Sequence, residues 1–302
     1  MSKYTELNEN ENNSLKDSLG KKIYDYIPQG SKILDVGCSS GYFGGLLISD
    51  KKALVDGIEL NSEDATKASK VLRDVYSFDL EGDKWPVSLT KAKYDVILFG
   101  DVLEHLRHPG EVLGRFSKLL KPKGVIIVSV PNIAHSSIRM ELLQGNFEYE
   151  KLGILDDTHL KYFTFKSFYR LLNQSGYKVV DFDQSVMAQP RKTTESILAS
   201  LGLIPTEKFY KFIARPDATA FQYKFVAMPG KNRTIPRLPK KPLELATLHI
   251  AEVNKLHDTI GYLSNELKIA RNALTTRQRL PDSKIFKLAR RAQHKIKGAL
   301  KK

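Results

Sequence analysis

The segment Asp35-Val36-Gly37-Cys38-Ser39-Ser40-Gly41 follows an apolar run, Ile33 to Val36, and leads into a helix beginning near Tyr42. A strand, a loop of small residues and a helix form the general entry to a nucleotide-type ligand. Gly37 lets the backbone turn tightly, and Gly41 lets the helix start press close to what it binds. Glu59 stands near the end of the next apolar run, 18 residues after Gly41, where a carboxylate can accept hydrogen bonds from ribose hydroxyls. Asp79-Leu80 closes a third run and could meet an adenine edge and face. To this point a nicotinamide dinucleotide and S-adenosylmethionine (SAM) fit equally well.

These residues need a frame. Leu15 to Ile27 reads as an amphipathic lead-in helix ended by Pro28-Gln29-Gly30. Strands are expected at Ile33 to Val36, Leu54 to Leu60, Val75 to Phe78, Tyr94 to Phe99 and Val125 to Val130. Helices are expected at Ser62 to Leu72, Gly110 to Leu120 and Phe165 to Ser175, the last capped by Thr164. Apolar strands alternating with helices imply an α/β fold with a parallel sheet covered on both faces. Two late strands, Tyr177 to Phe182 and Phe221 to Met228, complete residues 1–230 as one domain.

The choice of cofactor comes from the fourth strand onward. Tyr94-Asp95-Val96-Ile97-Leu98-Phe99-Gly100-Asp101-Val102-Leu103-Glu104-His105 resembles the fourth motif of class I SAM-dependent methyltransferases. Ile33 to Gly41 resembles their first motif, Glu59 falls where their ribose acid lies, and Leu120-Lys121-Pro122-Lys123-Gly124-Val125 resembles the turn before their fifth strand. The two late strands match the reversed hairpin at one edge of their doubly wound, mostly parallel seven-stranded sheet. The resemblance covers about residues 15–230 and implies SAM as cofactor. It assigns the first-motif residues Asp35, Gly37, Cys38, Ser39 and Gly41 to the cofactor. Glu59, Asp79, Leu80, Asp101 and Val102 join them from the later strands. Ser39 is a departure, because the common loop has glycine there.

Methyl transfer from a sulfonium is an in-line displacement that aligns acceptor and methyl and often removes a hydroxyl proton. It requires neither a metal nor a covalent nucleophile, so no residue is assigned as a metal ligand. His105, His135 and His159 are the candidate bases in the globular body. His159 is the first choice, with Asp157 to orient it, beyond a lid expected at Arg139 to Leu155. Val130-Pro131-Asn132-Ile133-Ala134-His135 and Asp157-Thr158-His159-Leu160-Lys161-Tyr162-Phe163-Thr164 resemble a subgroup of bacterial methyltransferases associated with surface polysaccharides such as O-antigen. That resemblance implies a sugar hydroxyl, on a glycan or its lipid-linked precursor, as the acceptor.

The chain's 302 residues carry a net charge of +14, unevenly placed. Residues 231–302 hold 18 Lys/Arg against 5 Asp/Glu, so the body is nearly neutral and does not look like a nucleic-acid-binding face. Residues 231–242 read as a Pro-rich basic linker. Residues 243–280 read as a coiled coil, with Val253, Ile260 and Leu267 on one seam and Leu256 and Leu263 on the other. Such a segment makes a homo-oligomer or recruits a glycosyltransferase. Residues 281–302 place Ile285, Leu288 and Ile296 on an apolar arc of about 120° opposite eight basic residues, the pattern of a helix lying on anionic lipid.

No run approaches the roughly 18 apolar residues of a spanning helix, and Met1 to Asn13 has no apolar signal core, so a cytoplasmic protein, peripheral at the inner membrane face, is expected. The single Cys38 excludes an internal disulfide and a multi-thiolate metal site. An O-methyltransferase of a surface glycan leads. A membrane-held quinone or small-molecule O-methyltransferase, and a SAM-binding adaptor for a glycosyltransferase, are the alternatives.

Overall fold

The computed structural model of the chain describes residues 21–231. Seven strands form one sheet: β1 (Lys32–Val36), β2 (Leu54–Ile58), β3 (Asp74–Tyr76), β4 (Tyr94–Gly100), β5 (Leu120–Pro131), β6 (Tyr177–Val186) and β7 (Ala220–Pro229). Their order is β3-β2-β1-β4-β5-β7-β6. The first five run parallel, and β7 pairs antiparallel with both β5 and β6. The α/β sheet and its reversed hairpin agree with the sequence reading.

The apolar strands bury both faces by parity, since successive side chains point to opposite sides of a sheet. Leu34, Val36, Ile97, Phe99, Ile126 and Val128 face one core, with Phe116 and Phe168. Ile33, Val55, Val96, Leu98 and Ile127 face the other, with Ile23, Ile27, Leu47 and Leu72. The helices that supply these layers begin with α1 (Lys21–Tyr24), α2 (Tyr42–Lys51), α3 (Ser62–Ala68), α4 (Val87–Lys91) and α5 (Pro109–Phe116). Asn61 caps α3, its side chain accepting from the amides of Glu63 and Asp64. Next come α6 (Ser136–Leu143) and α7 (Phe165–Gln174), and Thr164 with Ser167 forms a capping box on α7.

Three expectations shift. The helix expected at Gly110 to Leu120 ends at Phe116, passes through a 3-10 turn at Ser117–Leu119, and β5 starts at Leu120. The expected turn Lys121-Pro122-Lys123-Gly124 therefore lies inside β5 as a bulge: Tyr94 pairs with Leu120 and Val96 with Val125. The late strands are longer than their apolar runs because antiparallel pairing continues to Val186 opposite Ala220. The single domain expected over 1–230 is also interrupted, because residues 188–214 form a separate unit between β6 and β7. That unit holds α8 (Arg191–Ser200) and α9 (Glu207–Ile213), joined where Glu195 accepts from Arg191 and from the Tyr210 hydroxyl. The short α10 (Pro216–Thr219) precedes β7. The lead-in helix before residue 21, the linker from residue 232, the coiled coil and the basic helix lie outside the described residues.

Gly57 of β2 shows how tightly the loop region is packed. A Cβ there would come within 2.5 Å of Cys38 Sγ and 2.7 Å of Leu72 Cδ1. Gly57→Ala should lower stability by about 1–3 kcal/mol, the usual range for overpacking. Urea unfolding of Gly57→Ala, Cys38→Ala and the double variant should show the double less destabilised than the sum of the singles. Simple additivity would contradict the contact.

Candidate active site

All the parallel strands end on one side of the sheet, and the loops there bring the chemistry together. Gly37 (φ 75°), Ser39 (φ 48°) and Gly41 (φ 82°) take left-handed backbone conformations. Gly37 is required twice, because a Cβ would also meet Val102 Cγ2 at 2.6 Å. The amides of Gly37 and Cys38 donate to the Ile58 carbonyl at 2.8 and 3.0 Å, which ties the loop to the end of β2. Glu59 braces it from the next residue: its carboxylate accepts from the Ser39 amide and from the Asn61 amide, each at 2.8 Å. A left-handed serine costs about 1–2 kcal/mol, which its hydrogen bond to Glu59 helps to offset.

Asp35 is buried, and its Oδ2 has no hydrogen-bond partner. Burial, and then the charge of Glu59, pushes its carboxyl up to about 7. It lines a cavity of about 180 Å³ with Phe43, Gly100, Asp101, Gln222 and Lys224. Asp101 sits at φ 52° just past β4. Its amide donates to Ser129 Oγ at 3.0 Å. Its carboxylate accepts from the Ser129 hydroxyl at 2.9 Å and from Gln222 Nε2 at 2.8 and 2.7 Å.

Next to Asp101, the 3-10 turn Leu103–His105 carries Glu104 into full burial. Among the described residues, neither carboxyl oxygen of Glu104 has a hydrogen-bond partner. Burial, with Asp101 and Asp156 adding charge, pushes it well above the usual carboxylate range. The Glu104 carbonyl accepts from the amides of Leu160 and Lys161 at 2.8 and 2.9 Å, which pins the following loop to this turn. His159 is brought beside His105, ring centroids 4.8 Å apart at 68°. His159 Nδ1 lies 3.0 Å from the Ile154 carbonyl, and His105 Nδ1 lies 3.3 Å from the Thr158 carbonyl and 3.1 Å from its hydroxyl. A carbonyl only accepts, so both Nδ1 atoms carry a hydrogen, and in the neutral form of each ring the lone pair lies on Nε2. Burial, then the proximity of His159, holds His105 below its usual value, so its ring is neutral near pH 7.

The family model described as a methyltransferase domain matches residues 7–181, a span that runs from before Asp35 to beyond His159. The chain belongs to the methyltransferase-domain family. A ubiquinone biosynthesis O-methyltransferase of Psychrobacter arcticus is 30% identical over 108 residues, covering 34% of this chain and 42% of that protein. The Pasteurella multocida protein of the same name is 29% identical over 147 residues, covering 40% and 59%. The chain therefore spans about half the length of the curated relatives it matches. The fold is shared with a SAM-dependent methyltransferase of Archaeoglobus fulgidus, at 18% identity and a TM-score of 0.50, covering 74% of this chain and 99% of that one.

SAM is the cofactor of this methyltransferase fold, and the residues present fit it. The buried, partnerless oxygen of Asp35 suits a ligand ammonium. Each Glu59 oxygen keeps a lone-pair direction for a ribose hydroxyl after its backbone bond. Gly37 leaves the loop surface bare where a side chain would strike Val102. Asp79 is exposed, with Oδ1 on the Glu81 amide, and Leu80 is half-buried beside it at the end of the third βα connection.

Several expected roles move. Cys38 buries its side chain in the core against Gly57, so it serves the loop by its backbone. His135 has both ring nitrogens engaged, Nδ1 with Ser137 and Nε2 with the Met187 carbonyl at 2.6 Å. It caps α6, which leaves no lone pair for a base. Asp157 binds Lys151 at 2.7 Å, and the expected orientation of His159 comes from the Ile154 carbonyl instead. In the expected lid, Arg139 is tied to the Ala134 carbonyl and to Asp217, and Ile154 and Leu155 are buried with Ile138.

Sequence reasoning missed Ser129, Gln222 and Lys224 and gave Glu104 no part in the chemistry. The signal for two of them was present: Gln222 and Lys224 alternate along an otherwise apolar strand and so share one face.

Two variants test the cradle. Glu59→Ala should weaken SAM binding, since it removes both the ribose acceptor and the loop brace. For Asp35, the anionic form favours a ligand ammonium, so SAM affinity should strengthen as pH rises through about 7. Asp35→Asn should bind more weakly and lose that component of the pH dependence. Titration calorimetry across the range checks this, and an unchanged slope in the variant contradicts it.

Proposed function

We propose that this protein is a SAM-dependent O-methyltransferase whose acceptor hydroxyl is received by Glu104, His105 and His159. The observation that carries the reading is the cluster itself. Two imidazoles, each with Nδ1 directed to a carbonyl, bring a ring nitrogen to within 4.8 Å of a carboxyl oxygen of the buried Glu104, which follows Asp101 at the strand ends that bear the cofactor residues. In the reaction the acceptor O–H bond breaks and its proton leaves through the cluster to water. The oxygen pair forms the O–CH3 bond as the S–CH3 bond breaks, and the pair returned to sulfur leaves S-adenosylhomocysteine. His105 shares the task that the sequence reading gave first to His159.

The acceptor we favour is a sugar hydroxyl of a surface glycan or its lipid-linked precursor, on the resemblance of residues 130–135 and 157–164. A phenolic hydroxyl of a quinone precursor is the second reading, supported by the names of the relatives from Psychrobacter arcticus and Pasteurella multocida. Labelled SAM offered with extracted glycolipid and with catechol acceptors separates the two. His159→Ala should cut turnover by about 10²–10⁴-fold while SAM affinity stays near that of the parent. Full activity in that variant would remove the cluster from the reaction, and no transfer to any hydroxyl would favour the adaptor reading.

We further propose, from the sequence pattern alone, that residues 281–302 anchor the enzyme to anionic lipid and that residues 243–280 associate with a second copy or a glycosyltransferase. Replacing Ile285, Leu288 and Ile296 with serine keeps every charge. Sedimentation with anionic vesicles should fall in that variant, and parental binding would sink the interfacial helix.

A further inference from the structure

We propose that Glu104, His105 and His159 form a binding site for one divalent transition-metal ion. The two ring nitrogens and one carboxyl oxygen they offer all lie within 4.8 Å of one another. Both rings direct their Nδ1 hydrogens away, to the Thr158 and Ile154 carbonyls, so each Nε2 lone pair is left for the cluster. Glu104 adds two oxygens that have no hydrogen-bond donor, on a side chain with 0% exposure. Electron-pair donors thus converge from two segments 54 residues apart in sequence. A cation at their centre supplies the positive charge that a buried carboxylate needs.

The surroundings match what a metal site requires. Metal-bound histidines donate their other N–H to a carbonyl or carboxylate, which fixes tautomer and ring plane. His159 does so to Ile154. His105 does so to Thr158, whose hydroxyl and amide in turn donate to Asp156 Oδ1. The Leu160 and Lys161 amides, bound to the Glu104 carbonyl, hold the His159 loop against the Glu104 turn.

The donor set selects the ion class. Two imidazoles and one carboxylate suit zinc, cobalt or iron(II), whereas magnesium and calcium call for oxygen ligands. Ligands about 2.1 Å from a tetrahedral ion stand about 3.4 Å apart, so small side-chain rotations close the site. Three protein ligands leave a position open. On the proposed methyl-transfer reading, that position takes the acceptor oxygen; with the Nε2 lone pairs held by the ion, it is the ion rather than an imidazole base that makes the hydroxyl easier to ionise, and the proton passes directly to water.

Binding is measured without any acceptor, so it is read independently of the reaction. Tag-free, chelator-treated full chain is titrated with Co²⁺ by equilibrium dialysis and visible absorption, alongside Glu104→Gln, His105→Ala and His159→Ala. SAM affinity in each variant serves as the control for folding. The parent should bind one more equivalent of Co²⁺ than each variant, and that equivalent should carry d–d absorption bands displaced by Zn²⁺. Any ion held by histidines elsewhere in the chain persists in all four proteins and cancels in the difference. Equal stoichiometry in parent and SAM-competent variants, or an extra equivalent without nitrogen-ligand bands, overturns the site. Methyl transfer at the parental rate by chelated protein overturns its role in the reaction.

Discussion

The burial of Glu104 is the constraint from which the active side of this molecule follows. A carboxyl group at 0% exposure with neither oxygen hydrogen-bonded is costly, and a fold keeps it only with something to offset that cost. Its own backbone carbonyl does part of the positioning, by accepting two amides from the loop that carries His159. Without that tie, nothing in the local sequence of His159 would bring it to within 4.8 Å of the His105 ring. The same turn follows directly from Asp101, which Ser129 and Gln222 hold at the ends of the central strands. Cofactor cradle and histidine cluster are therefore joined through one short stretch, Asp101 to His105.

The cradle depends on close approach. Gly37 stands where any side chain would strike Val102, and the loop's amides are spent on the end of β2 and on Glu59. Glu59 consequently braces the loop with both of its oxygens, and on the proposed reading their remaining lone pairs receive the ribose. Ser39, which departs from the family's usual glycine, takes the left-handed conformation all the same because that brace holds its amide.

Much of this was legible in the sequence because strand periodicity and turn chemistry are local. Val96 to Phe99 read as a buried strand, Gly37 and Gly41 as the punctuation of a tight turn, and Thr164 as a cap. What escaped depends on pairing across the chain. The bulge in β5 arises from its register with β4, and the expected turn at Lys121 to Gly124 looks the same in sequence whether it precedes a strand or interrupts one. The unit at 188–214 interrupts a hairpin whose two strands read as neighbours. The sequence put His159 first among the three histidines but could not show their roles, which are set by what their Nδ1 and Nε2 atoms meet. His135 meets Ser137 and Met187 and becomes a cap, whereas His105 and His159 meet carbonyls on one nitrogen only.

On this reading the cofactor's sulfur and the Glu104–His105–His159 cluster face one another across a shared site. A crystal structure of the full chain with S-adenosylhomocysteine bound tests that arrangement. Ribose hydroxyls are expected on Glu59, the amino group at Asp35, and the sulfur directed toward the His105 and His159 Nε2 atoms with no side chain between. A sulfur directed elsewhere, or shielded from both imidazoles by the loop, would contradict it.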